Sequence, residues 1–409
     1  MNQYNRTILP NGIKILSENV PYVKSFSLGF WFNVGSRDEN SENNGITHFI
    51  EHMLFKGTKK RSPGRIANDI EGYGGYLNAF TSKEHTCYYG RGLSDYLEKT
   101  FDVLADMVQF PAFKPAEIKK EAGVVVDELY DIEDNPEELI FDKFEESLFA
   151  GDSLGLPVIG TEKNIRGFSQ SGLFDFIDRK YGFDTFIIAA SGAVEHKKLV
   201  RFTEKYIKKD FGRKPVSVKN VPVNPGSKLS VEKEIQQVHT IIGRPTYGYN
   251  DKKRNVVNVL SHILGEGSSS RLFQTVRERN GICYQLNTFL NSFYDVSSFG
   301  VYFSTNDKLY EKSLGLILHE FKKIREKKVS DKELKKAKEY LKGSMLLSLE
   351  SLTQRQFRMA QSEIYFNEIR SIEQTIAEID AVTPQEVFEM ANEVLEESAL
   401  SKIIIKSGS

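Results

Sequence analysis

Strand and helix signals recur in one order on either side of a proline- and glycine-rich stretch, and that doubling constrains the fold more than any other feature. Before the stretch, residues 25–32 alternate large and small side chains and read as a strand with one heavily apolar face. The turn-rich Gly35-Ser36-Arg37-Asp38-Glu39-Asn40 closes it. Across 44–56 the apolar residues Ile46, Phe49, Ile50, Met53 and Leu54 recur at helical spacing, and Gly57 supplies a stop. Pro63 opens a helix through Glu71, Gly72-Tyr73-Gly74-Gly75 turns the chain, and strands are expected over 76–81 and 85–91. Helices follow over 94–109, with Ser94 as N-cap, and over 115–130, with Val124, Val125 and Leu129 on its apolar face.

The stretch 211–230 contains Pro215, Pro222, Pro225, Gly212 and Gly226 and lacks helical periodicity. After it the order returns: a strand over 239–244, a helix over 252–264, a Gly/Ser loop, a short helix over 270–279, and strands over 282–290 and 295–304. Helical connections between strands indicate an α/β or α+β layer fold. A chain of 409 residues exceeds one ordinary core. The simplest account is two related domains, 1–213 and 231–409, joined by a linker over 214–230.

Charge narrows the function classes. Lys plus Arg number 55 against 56 for Asp plus Glu, so the net charge of −1 gives no bulk attraction to nucleic acid or anionic lipid. The N-terminal residues lack the apolar segment of a secretory signal, and no stretch approaches a membrane helix, so a cytoplasmic protein with no membrane partner is expected. Cys87 and Cys283 lie far apart without metal-ligand spacing and read as buried free thiols.

The chemistry concentrates in His48-Phe49-Ile50-Glu51-His52. On a helix, His48 and His52 share a face and can approach one ion, while Glu51 lies beside that face, within reach of a water on the metal. Catalytic zinc needs a third protein ligand, for which a carboxylate serves. Glu121 and Glu128, two helical turns apart, are the carboxylates of interest; Glu128 follows the run Val124-Val125-Val126, where a buried acid would need a partner or a metal. By themselves these residues also fit ordinary roles. The histidine pair suits solvent-facing ion pairing, and Glu121, next to Lys119 and Lys120, suits a solvated helix face.

A longer match adds to this reading. The segment from His48 through Met53-Leu54-Phe55-Lys56-Gly57-Thr58 resembles the inverted-zincin motif, HxxEH, of the insulinase, pitrilysin and mitochondrial-processing-peptidase family, peptidase family M16. The resemblance implies His48, His52 and Glu128 as ligands of one Zn2+ per subunit, Glu51 as general base, and Glu121 as the supporting acid. Gly75-Tyr76-Leu77-Asn78-Ala79-Phe80-Thr81 is similar to the family's active-site edge strand, so Asn78, Ala79 and Phe80 are expected along an extended substrate. Without the resemblance Asn78 is a polar residue ending a strand. Leu264–Phe273 and Val276–Tyr284 look like the second-domain segment of complete family members, in which Arg277 and Tyr284 match residues that reach substrate and oxyanion. Read alone, Arg277 is a solvated helix charge and Tyr284 a half-buried strand aromatic, and the Gly/Ser loop lacks the phosphate-binding pattern. Asp152-Ser153-Leu154-Gly155 departs from the family's usual His-Pro-Leu-Gly, while Pro157-Val158-Ile159-Gly160-Thr161 keeps its continuation.

The resemblance covers nearly the whole chain. It implies an α+β fold of two homologous domains, each a mostly antiparallel sheet packed against helices, the LuxS/MPP-like metallohydrolase fold. It also implies a zinc metalloendopeptidase acting on short or unfolded peptides in a closed chamber built by a homodimer, or by a heterodimer with an inactive homologue. Two alternatives within the family are a noncatalytic assembly subunit and a dedicated presequence-processing subunit.

Overall fold

From Phe26 to Phe32 every residue of the strand Ser25–Phe32 is buried, as a central strand covered on both faces must be. The computed structural model describes residues 3–214 and 221–408. Its first half runs β1 (Gln3–Ile8), β2 (Lys14–Asn19), β3 (Ser25–Phe32), α1 (Ile46–Leu54), α2 (Pro63–Glu71), β4 (Tyr76–Thr81), β5 (Thr86–Leu93), α3 (Leu97–Gln109), α4 (Pro115–Asp134), α5 (Pro136–Leu148), α6 (Glu162–Gly167), α7 (Gln170–Lys180), β6 (Phe186–Gly192) and α8 (His196–Tyr206). The second half runs β7 (Lys228–Glu232), β8 (Val238–Tyr247), α9 (Lys253–Gly265), β9 (Cys283–Ser292), β10 (Val296–Thr305), α10 (Tyr310–Glu326), α11 (Asp331–Ser348), α12 (Leu352–Phe366), α13 (Ile372–Ala381), α14 (Pro384–Val394) and β11 (Ser401–Lys406).

Two compact units result. The first draws on Met1–Tyr130, Leu156–Val218 and Ser348–Arg370; the second on Asp131–Gly155, Lys219–Leu347 and Ser371–Ser409. The first holds a sheet in the order β1-β2-β6-β3-β5-β4 and the second a sheet in the order β7-β11-β8-β10-β9. Neighbours are antiparallel except β2 with β6 and β7 with β11. Apart from the extra β1, the two sheets have the same order and the same single parallel pair. Two related units of mostly antiparallel sheet and helices are therefore what the chain forms.

Alternation along the strands explains how each sheet is covered. In the first unit Phe30 packs edge-on to Phe101 of α3, with ring centroids 4.9 Å apart, while its neighbour Trp31 points the other way and packs on Phe80 and Phe357. Leu16, Cys87, Ile187 and Ala189 join Trp31 on that second face, against Met359 and Ala360 of α12. Three ion pairs and a hydrogen bond help fasten α12: Arg6 and Lys14 each to Glu363 (2.8 Å), Arg355 to Glu18 (2.5 Å), and the Ser191 hydroxyl to the Leu352 carbonyl (2.7 Å). In the second unit Phe299, Val301 and Phe303 face a core with α9, α10 and α14. Ile241, Tyr302, Ile403 and Ile405 face Leu139, Ile140, Phe144 and Leu148 of α5. Each unit thus takes the helix over its second sheet face from the other half of the sequence. The units differ in this from the spans 1–213 and 231–409, because a strand apolar on both sides needs a cover that its own half does not supply.

Other local differences have physical causes. Of the expected linker 214–230, residues 215–220 lie outside the described residues, and Lys228 already begins β7. Ser94 lies in a short 3-10 turn, Ser94–Tyr96, and α3 starts at Leu97 without a side-chain cap. Val124 is 45% exposed, whereas Val125 and Leu129 are buried, since α4 turns only one stripe inward. The expected helix over 270–279 is π-helical at Phe273–Glu278. Both cysteines are buried free thiols, as expected. Among the described residues no helix is long and apolar enough to cross a membrane.

Candidate metal centre

Helix α1 buries Ile46, Phe49, Ile50, Met53 and Leu54, which leaves His48, Glu51 and His52 on its other side. Helix α4 buries Ile118, Ala122, Val125, Val126 and Leu129 and presents Glu121 and Glu128. The two helices bring together what lies far apart in sequence. His52 Nε2 is 3.5 Å from one Glu128 oxygen and His48 Nε2 is 3.9 Å from the other. One donor atom from each of these three residues lies within 4.8 Å of the others, the only such set of three or more metal-binding side chains among the described residues.

These separations suit an ion. A tetrahedral zinc with bonds of about 2.1 Å holds its donors roughly 3.4 Å apart. Two imidazoles and a carboxylate are a zinc-type donor set with one position left for water or substrate. Direct hydrogen bonding explains the cluster less well, because both histidine–Glu128 distances are too long for it. His48 Nδ1 is buried without a hydrogen-bond partner, and the ring's Nε2 faces Glu128.

Glu121 orients the second histidine. Its side chain is 3% exposed, with one oxygen 2.9 Å from His52 Nδ1 and the other 2.7 Å from Lys56 Nζ. Burial pushes its pKa up, but the hydrogen bonds to His52 and Lys56 outweigh burial and hold it below the ordinary value. An ionised carboxylate only accepts, so His52 Nδ1 carries the hydrogen of that contact, and Nε2 is turned toward Glu128. For His52 burial acts to lower the pKa, but the Glu121 hydrogen bond and the charges of Glu128, Glu121 and Glu51 raise it overall. Burial, and then the neighbouring His52, lower His48 to about 3, so its ring is neutral and able to ligate at physiological pH.

Glu51 accepts a 2.6 Å hydrogen bond from the Thr81 hydroxyl at the end of β4. Burial raises its pKa, and the Thr81 bond only partly offsets this. The sequence holds no local sign of the Thr81 or Lys56 contacts, which join residues in separate elements. Glu128, placed by the sequence on a packed inner face, is instead 44% exposed at its side chain and lies on the open side of the cluster.

β4 is the outer strand of its sheet. Asn78 is exposed, with its amide donating to the Tyr76 hydroxyl (2.8 Å) and its oxygen accepting from the Ala79 N–H (2.9 Å). Ala79 is half-buried, and the Phe80 ring packs on Trp31 and Phe357, so only the backbone of Phe80 remains to meet a ligand. In the second unit Arg277 is exposed, its guanidinium 4.9 Å from the Phe273 ring centre. Tyr284, on the edge strand β9, is 73% exposed rather than half-buried. Helix α9, at the place in the second unit's order that α1 has in the first, contains one histidine and no acid.

Comparison with known proteins agrees with this division. Residues 14–162 match the family model described as Insulinase (Peptidase family M16), and 168–341 match the one described as Peptidase M16 inactive domain. An uncharacterized zinc protease of Streptomyces coelicolor is 34% identical over 95% of this chain and 87% of its own length. One of Bacillus subtilis is 33% identical over 97% of each chain. The crystal structure of a protease from Helicobacter pylori superposes with a TM-score of 0.91 at 20% identity, covering 99% of this chain and all of that one, a likeness of fold. With both family models matched in order and relatives similar along nearly their full length, the chain belongs to peptidase family M16.

Proposed function

We propose that this protein is a zinc metalloendopeptidase that hydrolyses short or unfolded peptides. The observation that carries the reading is the convergence of His48, His52 and Glu128 at ligand spacing, with the buried Glu51 carboxylate on the same helix. The names of its relatives support zinc as the metal. A zinc ion held by these three side chains supplies a Lewis acid that polarises the scissile carbonyl and makes water nucleophilic near neutral pH.

The chain's own groups do the rest. Glu51, with its proton affinity raised by burial, takes a proton from the attacking water and passes it to the leaving amine, while Thr81 orients the carboxylate. Glu121 keeps His52 in the ligating tautomer. The free edge of β4 offers unpaired backbone groups to an extended peptide, with Asn78, Ala79 and Phe80 along it. On the family resemblance, Arg277 and Tyr284 serve as substrate contacts and Tyr284 as a donor to the developing oxyanion; the exposure of its phenol is consistent with that role. The resemblance likewise supports a homodimer, with one zinc and one site per subunit.

The test is Glu51→Gln, which keeps the shape of the side chain but removes the base. Zinc content by elemental analysis is expected to stay stoichiometric, and turnover of a quenched peptide to fall by about 10²- to 10⁴-fold. Unchanged turnover would remove Glu51 from the mechanism. Zinc binding without any turnover in the wild type would favour the noncatalytic assembly reading.

A further inference from the structure

Helix α1 begins without a cap of its own. Its N-cap residue is Gly45, at φ +94°, which has no side chain to accept the N–H groups of the first turn. Such donors are costly when buried and unpaired. Glu39 supplies the acceptor for one of them, the Thr47 N–H, from outside the helix, while the Ile46 N–H donates to the Asn43 carbonyl (3.1 Å). One of its oxygens accepts from the Gly45 N–H (2.8 Å) and the Asn44 amide (3.0 Å), the other from the Thr47 N–H (2.8 Å). Glu39 is 6% exposed, and Asn44 and Thr47 are fully enclosed. A carboxylate so deeply buried is tolerated because three donors and the positive end of the helix converge on it.

The loop that carries Glu39 also grips the β4–β5 hairpin. The Ser36 N–H donates to the Ser82 carbonyl (3.1 Å), the Arg37 N–H donates to the Lys83 carbonyl (2.7 Å), and the Arg37 guanidinium pairs with the buried Glu84 at 2.6 Å. Contact is close enough that a Cβ on Gly35 would lie 2.4 Å from the Ser82 carbonyl oxygen. The hairpin bears Thr81, whose hydroxyl holds Glu51. Residues 35–39 therefore clamp both partners of the Glu51–Thr81 contact, the helix through Glu39 and the hairpin through Ser36 and Arg37.

We propose that Glu39 is a positioning residue for peptide hydrolysis, fixing the start of α1 against the hairpin and so setting where His48, Glu51 and His52 stand relative to a peptide on β4. The proposal rests on the peptidase reading above. Glutamine at this place has one acceptor oxygen instead of two and aims an N–H at an N–H. Aspartate keeps both oxygens on a shorter arm.

The experiment compares wild type, Glu39→Gln and Glu39→Asp by kcat and KM on a quenched peptide, by zinc affinity against a chromophoric chelator, and by amide exchange of residues 46–52. In Glu39→Gln, kcat is expected to fall about 10- to 100-fold with KM nearly unchanged, as for a misplaced catalytic group. Zinc affinity should fall about tenfold, the size of loss typical when a ligand's support is removed. Amide exchange along α1 should rise, and Glu39→Asp should recover part of each loss. A folded Glu39→Gln with wild-type kcat and zinc affinity overturns the proposal, even if its helix exchanges faster. Should Glu39→Gln fail to fold, Glu39→Asp decides, since a wild-type kcat and zinc affinity in that variant contradict the role. Wild type that binds zinc but turns over no peptide sinks the peptidase reading instead, and zinc affinity and exchange then still judge the positioning.

Discussion

Glu51 and Glu121 are two acids at one cluster with opposite tuning. Burial dominates at Glu51 and raises its pKa, while His52 and Lys56 overcome burial at Glu121 and lower it. On the peptidase reading, such a divergence separates a proton carrier from a fixed anchor. Glu39 is a third buried acid, pushed up to about 7 by burial against the hydrogen bonds from Thr47, Gly45 and Asn44. A carboxyl raised from 4.5 to about 7 favours folding most when protonated, so its contribution is complete below about 4.5 and is lost as the pH rises through about 7. At about 1.4 kcal/mol per pH unit the loss is about 3 kcal/mol. Urea unfolding at pH 5 and pH 8 should therefore show wild-type stability, relative to Glu39→Gln, falling by most of that amount. A gap independent of pH would refute the raised value. At this scale most of the candidate cluster was legible, because His48, Glu51 and His52 fall on one helix and the resemblance extends past them, while the exposure of Glu128 was not. Glu39 was not, since its partners follow a turn that sequence patterns read only as a break.

Among the elements, α1 was the most legible, because its apolar residues recur every three or four positions and Gly57 follows. What docks it was hidden. Gly45, at φ +94°, approaches the backbone so closely that an added Cβ would meet the Ile159 carbonyl oxygen at 2.7 Å and the Gly160 Cα at 2.8 Å. Gly45→Ala therefore combines a left-handed backbone with a clash against backbone atoms that cannot rotate away, and should destabilise the fold by more than about 1–2 kcal/mol. Thermal unfolding checks this, and a wild-type midpoint would contradict the geometry. The cap of α3 was misplaced at Ser94 for a different reason: a serine ahead of an apolar run signals a helix start, but not whether a 3-10 turn comes first. The limits of the six expected strands came within a few residues because turn-forming glycines and polar residues bracket their apolar runs, whereas β1, β2, β6, β7 and β11 were not expected.

Across the whole molecule, the related halves were legible from the recurring element order, but the exchange of α5 and α12 was not, since an amphipathic helix does not name the sheet it will cover. The exchange makes each half incomplete alone. A fragment of residues 1–213 should leave Trp31, Leu16 and Ile187 bare for want of α12, and one of 231–409 should leave Ile241 and Ile403 bare for want of α5. Each is expected to be protease-sensitive and aggregation-prone, and addition of residues 348–370 to the first should restore resistance, as read by limited proteolysis. A stable, soluble 1–213 fragment would contradict the account. The same arrangement orders events during synthesis. The last strand of the first sheet, β6, ends at Gly192, yet its covering helix ends only at Phe366. At about 5–20 residues per second the ribosome needs roughly ten seconds or more to bridge that interval. For that time the nascent chain carries an open tryptophan-bearing face, so the first sheet stays half-covered until the far end of the chain is made.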